Sequence, residues 1–142
     1  MKIKFKKLHP DAVLPRYAHG GDAGMDVCAV EEVEIPAGGT ALARTGWAAA
    51  LPRRYEIQVR PRSGLALKHG VTLPNSPGTI DGNYRGEICI VLINHGREPF
   101  RVEKGMRVAQ LVVGKLPRVK VEEVDTLDQT ERGEKGFGSS GL

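Results

Sequence analysis

Four stretches of the chain carry residue types suited to binding phosphate and activating water. Arg60-Pro-Arg-Ser-Gly64 leads into a short helical pattern, and helix entrances attract anions through unpaired amides and the helix dipole. Arg62 and Ser63 stand at that entrance, where a guanidinium can fork onto a phosphate; a plain N-cap beside a solvated arginine accounts for them equally. Pro77-Gly-Thr-Ile-Asp-Gly-Asn-Tyr-Arg-Gly-Glu87 reads as a hairpin turning on Asp81-Gly82-Asn83. It offers a carboxylate to orient water, a ring for a sugar or base and backbone groups for a planar ligand. Turn chemistry alone also explains the aspartate, glycine and asparagine. Asp22 and Asp26 occupy a similar turn-to-strand passage. Near the C-terminus, Gly136-Phe-Gly-Ser-Ser-Gly141 has the spacing G-x-G-x-x-G. A dinucleotide fingerprint also needs a preceding strand, a following helix and an acidic residue about 20 positions later, and the sequence ends at Leu142. What remains there is a set of amides, the hydroxyls of Ser139 and Ser140, and Arg132, all able to hold phosphate. Phe137 is an apolar ring for which a solvated tail has no use.

Such groups need a frame, and the hydrophobic pattern supplies one with period two. Ile3 and Phe5, then Tyr55, Ile57 and Val59, then Phe100 and Val102, and finally Val119 and Val121 alternate with polar residues and predict half-buried strands. Ile88 to Ile93 and Val108 to Val113 are more continuously apolar and are expected to be central strands covered on both faces. Gln110 interrupts the second run, so it either faces a ligand or marks a strand edge. Turn residues recur roughly every eight to twelve positions, the rhythm of an all-β sandwich or jelly roll. Only Ser63 to His69 reads as a helix, with Ser63 as its cap and Gly70 as its stop. After residue 124 the alternation fades and glycines accumulate. The expectation is one domain over 1–124 with a flexible glycine-rich tail, 125–142.

Composition narrows the function classes. A length of 142 residues suits one core, and 40% hydrophobic with 27% charged residues excludes wholesale disorder. No apolar run approaches the ~20 residues of a membrane span, and MKIKFKKLHP has no signal-peptide core, so a soluble cytoplasmic protein without membrane contact is expected. The net charge of +4 favours anionic partners. Scattered basic residues and an aromatic content of 5% point to a small anion rather than nucleic acid. His9, His19, His69 and His95 lack paired metal spacing, and Cys28 and Cys89 are expected to stay thiols.

Taken together, five segments resemble, in order and spacing, the motifs of the deoxyuridine triphosphatase (dUTPase) family. They are Ala23-Gly-Met-Asp-Val27, Pro61-Arg-Ser-Gly-Leu-Ala66, Gly78-Thr-Ile-Asp-Gly-Asn-Tyr-Arg-Gly-Glu87, Gly105-Met-Arg-Val-Ala-Gln110 and Arg132-Gly-Glu-Lys-Gly-Phe-Gly-Ser-Ser-Gly141. The resemblance implies a jelly-roll subunit in a homotrimer whose active sites are shared between chains and closed by a neighbour's tail. It also implies Mg²⁺-assisted hydrolysis of dUTP to dUMP and pyrophosphate, with water attacking the α-phosphorus. Such an activity limits uracil in DNA and supplies dUMP for thymidylate synthesis. By position in the motifs, Asp81 would orient and activate the water. Tyr84 would pack on the deoxyribose and exclude a 2′-hydroxyl, while Asn75 and backbone groups of Thr79, Ile80 and Cys89 would read uracil. Arg62, Ser63, Gly64 and Gln110 would hold phosphates. Arg132, Gly138, Ser139 and Ser140 would clamp them from the tail, with Phe137 stacked on the base. Asp26 would fix water ligands of an Mg²⁺ held mainly by the substrate phosphates. Ser140 stands where many relatives carry threonine, and the hydroxyl survives. Two alternatives are a dCTP deaminase of the same superfamily and a non-catalytic nucleotide-binding trimer. The aspartate hairpin, the Arg-Ser-Gly-Leu-Ala segment and the tail speak against the first, Asp81 and Tyr84 against the second.

Overall fold

Period-two alternation makes strands only where a distant segment supplies the partner edge, and here almost every strand pairs with one far away in sequence. The structure, a computed structural model, describes residues 1–139 and 141. β1 (Lys4–Lys7), β4 (Thr40–Ala50), β8 (Glu87–Asn94) and β6 (Val71–Thr72) form one antiparallel sheet in the order β1-β4-β8-β6. β2 (Met25–Cys28), β10 (Arg107–Lys115), β5 (Tyr55–Arg60) and β7 (Gly78–Ile80) form the second, in the order β2-β10-β5-β7. β3 (Val33–Ile35) pairs with β9 (Phe100–Val102), and α1 (Ser63–His69) follows β5. Ile88, Ile90 and Leu92 of the first sheet and Val27, Ile57, Val108 and Leu111 of the second are fully buried in one cluster. The expected all-β sandwich with one short helix is therefore the observed architecture. No helix among the described residues is long and apolar enough to cross a membrane.

Four local expectations need correction. Arg62, not Ser63, is the N-cap: its backbone is extended, with φ −99° and ψ 127°, and its carbonyl accepts the first helical bond from Ala66 N at 3.1 Å. Ser63 is already helical, which leaves its hydroxyl uncommitted as a cap. The stop is as expected, Gly70 taking φ 67°, a left-handed conformation that favours glycine. The segment Pro77 to Glu87 is not a hairpin, because β7 pairs with β5 while β8 pairs with β4 and β6. Its turn instead carries the chain from one sheet to the other. β8 and β10 are central, but neither is fully covered on both faces: Cys89, Val91 and Ile93 of β8 and Gln110, Val112 and Val113 of β10 are half-buried. Val119 and Val121 lie in no strand and are 78% and 89% exposed; alternation without a pairing partner does not make a strand there.

β4 carries the sharpest irregularity, between Arg44 and Ala48, where four residues advance while β8 advances two. Gly46 at its centre has φ 71°, and a Cβ there would stand 2.8 Å from the Cβ atoms of Ala12 and His9. Bulges of this kind bend a strand and redirect side chains. Thr45, fully buried, donates to Ile88 O at 2.6 Å across the sheet.

Asn94, the other fully buried polar residue among those described, ties three segments together. Its Nδ2 donates to Ile35 O at 3.1 Å and Glu98 O at 2.8 Å, and its Oδ1 accepts from Gly96 N at 2.8 Å. Asn94→Asp keeps the shape but turns a two-way donor into a buried acceptor facing two carbonyls. Chemical denaturation is expected to show a loss of about 2–4 kcal/mol; an unchanged midpoint would show that these bonds contribute little.

Candidate active site

Two clefts collect the candidate residues, and each follows from strand register. The first, of about 450 Å³, is lined by Asn75, Thr79, Ile80, Asp81, Tyr84 and Cys89 among others. β7 sets Thr79 opposite Gln58 and Ile80 opposite Ile57; the chain then turns, with Tyr84 N donating to Asp81 O at 3.1 Å, and returns in the other sheet with Cys89. The cleft lies where the two sheets are bridged, and its volume falls in the range of small-molecule pockets. Asp81 is exposed, and its carboxylate has no hydrogen bond or ion pair among the described residues. A carboxylate in that state can accept from water. Burial, and next the charge of Glu87, push the Cys89 thiol up from its ordinary pKa.

The second cleft, of about 260 Å³, is lined by Asp22, Asp26, Arg62, Ser63, Gly64 and Gln110, with Ala23 and Gly24. β10 sets Gln110 opposite Asp26 on β2 and opposite Arg60 on β5, so three polar residues line up across the sheet on one face. Gln110 therefore faces a cleft from a central strand and does not mark an edge. Its Nε2 donates to Pro61 O at 3.0 Å; a side chain on Gly24 would collide with it, a Cβ standing 2.5 Å from Gln110 Oε1. Asp26 accepts from both sides, Oδ1 lying 3.1 Å from Arg62 Nε and Oδ2 3.2 Å from Arg107 Nη1. Ion pairs this close to solvent are worth about 1 kcal/mol or less, so either guanidinium can be redirected onto an arriving anion.

The sequence-predicted residues thus fall into two groups that share no lining residue. Arg132, Phe137, Gly138 and Ser139 line neither cleft; Phe137 is fully exposed with φ 49°, and Arg132 Nε donates to Lys135 O within the tail's own turn. Ser140 lies outside the described residues. No histidine lines either cleft, and the described residues contain no group of three metal-ligating side chains. Cys28 and Cys89 are free thiols. Sequence reasoning gave no role to Arg107 or Glu87. Both sit in the quoted segments, but as charged neighbours of apolar residues they read as ordinary solvated positions.

A family model described as dUTPase matches residues 11–141. The chain belongs to the dUTPase family. Among curated relatives, the deoxyuridine 5′-triphosphate nucleotidohydrolase of Gloeothece citriformis is 54% identical over 142 residues, covering 100% of this chain and 98% of that one. The enzyme of the same description from Clostridioides difficile is 56% identical over 140 residues, covering 99% and 98%. Among solved structures, Staphylococcus bacteriophage 80alpha dUTPase with dUPNHPP superposes with a TM-score of 0.92 at 28% identity, covering 99% of both chains. Four of the five dUTPase motifs contribute side chains to one or other cleft, and the fifth is the tail.

Both thiols of this dUTPase-family chain are raised, Cys28 by burial and by the charge of Asp26 and Cys89 by burial and by Glu87. The thiolate is the nucleophile, and a raised pKa postpones its formation to more alkaline pH. Iodoacetamide labelling followed by peptide mass spectrometry is expected to be slow at pH 7 and to climb through alkaline pH; fast labelling at pH 7 would contradict the burial.

Proposed function

We propose that this chain hydrolyses dUTP to dUMP and pyrophosphate as a homotrimer in which each active site joins the first cleft of one subunit to the second cleft of another. The observation that carries the reading is the Asp81 carboxylate, unpaired among the described residues, at the rim of a nucleoside-sized cleft, with the cleft of Arg62, Ser63 and Gln110 elsewhere on the same chain. Family membership at about 55% identity over the full length supports the activity. That the two clefts share no lining residue supports assembly, as does the exposure of the alternating Val119 and Val121 outside any strand.

In this reading, Asn75 and backbone groups of Thr79, Ile80 and Cys89 hold the uracil edge in the first cleft. Tyr84 packs against the deoxyribose. Asp81 accepts a proton from the attacking water and aims its oxygen at the α-phosphorus, in line with the departing pyrophosphate. Arg62, the amides of Ser63 and Gly64, and Gln110 hold phosphate oxygens from the second cleft, fixing the chain for that attack. Arg132, Gly138, Ser139 and Ser140 complete the phosphate shell from a neighbour's glycine-rich tail, residues 125–142, and Phe137 covers the base and excludes water.

The donor set suits Mg²⁺ of the phosphate-borne kind. A hard divalent ion that keeps several waters needs one or two carboxylates plus substrate oxygens, not a protein cage. Asp26 fits: a carboxylate has about four acceptor positions, and two guanidinium contacts leave some of them for metal-bound water. When bound to the triphosphate, Mg²⁺ would neutralise phosphate charge.

A substrate panel tests the reaction. With Mg²⁺, pyrophosphate release from dUTP is expected to exceed that from dCTP, dTTP and UTP by at least tenfold; comparable rates on all four, or ammonia from dCTP, would defeat the assignment. Subunit mixing tests the sharing. Asp81→Asn and Arg62→Ala homotrimers are each expected to lose roughly 10²–10⁴ in kcat. Trimers co-refolded from both should regain about one intact site in three, and failure of every mixture to regain activity would place both groups on one chain's site.

A further inference from the structure

Tyr84 is held by more than its own turn. Its hydroxyl donates to Glu87 O at 3.0 Å, so the side chain folds back over the intervening backbone. Gly86 lies directly beneath it. A Cβ on Gly86 would stand 2.3 Å from the Tyr84 hydroxyl oxygen, 2.5 Å from Cζ and 2.9 Å from Cε2. Gly86 does not have a positive φ, so its backbone does not demand glycine; the space under the ring does. The acceptor end is fixed as firmly. Glu87 opens β8, and its Oε1 accepts from Gly46 N at 2.8 Å in the β4 bulge, while Oε2 accepts from Arg44 Nε and Nη2, each at 3.0 Å. The Glu87 side chain is 17% exposed, less than that of Arg44 at 45%, so this clamp sits under the rim of the first cleft, which Glu87 also lines.

We infer that Gly86 is a specificity-determining residue and Glu87, with Arg44, a positioning pair: together they form the seat that fixes the height and tilt of the Tyr84 ring, and hence the discrimination against a ribose 2′-hydroxyl. The inference rests on the proposed packing of Tyr84 against the sugar. A ring free to pivot would yield to one extra oxygen, because rejection by steric exclusion needs a wall that cannot move. The bare Gly86 Cα lets the ring lie low, and the Tyr84–Glu87 bond keeps it there. Substituting Gly86 lifts the ring, since its outer atoms can move while the sheet beneath cannot.

The test is the ratio of kcat/KM for dUTP to that for UTP, measured alongside thermal unfolding. Gly86→Ala is expected to unfold near the wild-type temperature and to lower the ratio by roughly ten- to two-hundredfold, the range set by one steric contact. Glu87→Gln keeps an acceptor for Gly46 N but loses the ion pair, and should lower the ratio in the same direction by less. Tyr84→Ala is the reference. If Tyr84→Ala lowers the ratio and neither Gly86→Ala nor Glu87→Gln does, the seat is wrong while the sugar wall stands. If Tyr84→Ala leaves the ratio unchanged, the wall fails and the seat with it. Should Gly86→Ala not fold, Glu87→Gln and Arg44→Ala decide: a lowered ratio in both supports the seat, an unchanged ratio in both overturns it.

Discussion

The register of β10 against its two neighbours is the constraint on which most of the molecule depends. Leu111 lies opposite Met25 on one side and Val59 on the other, and all three are buried. The residues one step away, Gln110, Asp26 and Arg60, consequently share the opposite face. A slip of one residue would exchange the two sets, placing charge in the core and apolar side chains in the second cleft. The burial that holds the sandwich together is thus the same fact that aligns the second cleft, and neither can drift without the other.

β5 transmits that alignment to the first cleft. One of its edges receives β10 and the other receives β7, so Thr79 and Ile80 are located by the strand that locates Arg60. The crossing from β7 to β8 then spans both sheets, which lets a single short segment bring a carboxylate, an aromatic ring and a half-buried thiol to one rim. Charge follows the same division of labour. Asp81 makes no ion pair among the described residues, whereas Asp26 contacts two arginines, so one carboxylate stays available to water while the other steadies guanidinium groups.

Much of this was legible in the sequence because alternation and turn residues are local signals. The strands around Tyr55, Ile57 and Val59 and around Phe100 and Val102, and the Gly70 stop, all fall where those signals put them. The misses share one physical cause, namely that partner choice is not local. Asp81-Gly82-Asn83 has the composition of a hairpin turn, yet nothing in those residues says which sheet each flank will join. Val119 and Val121 alternate correctly and still pair with no strand. Arg62 takes the cap from Ser63 because the chain leaves β5 extended for two residues more than the hydroxyl suggests. Glu87 reads as one more solvated acid until a bulge more than forty residues earlier supplies the guanidinium and the amide that hold it.

The chain order of the second sheet also bears on how the molecule comes to exist. β10 is the last strand to be synthesised and occupies an interior place, between β2 and β5. Until it emerges, those two strands have no one to join them, and Val27, Ile57 and Val59 face an open gap. Closure of the sandwich therefore waits for this strand. A nascent chain in this condition carries two unsatisfied strand edges, the situation in which polypeptides stick to one another. Protection of those edges during biosynthesis is a requirement that the finished fold no longer displays.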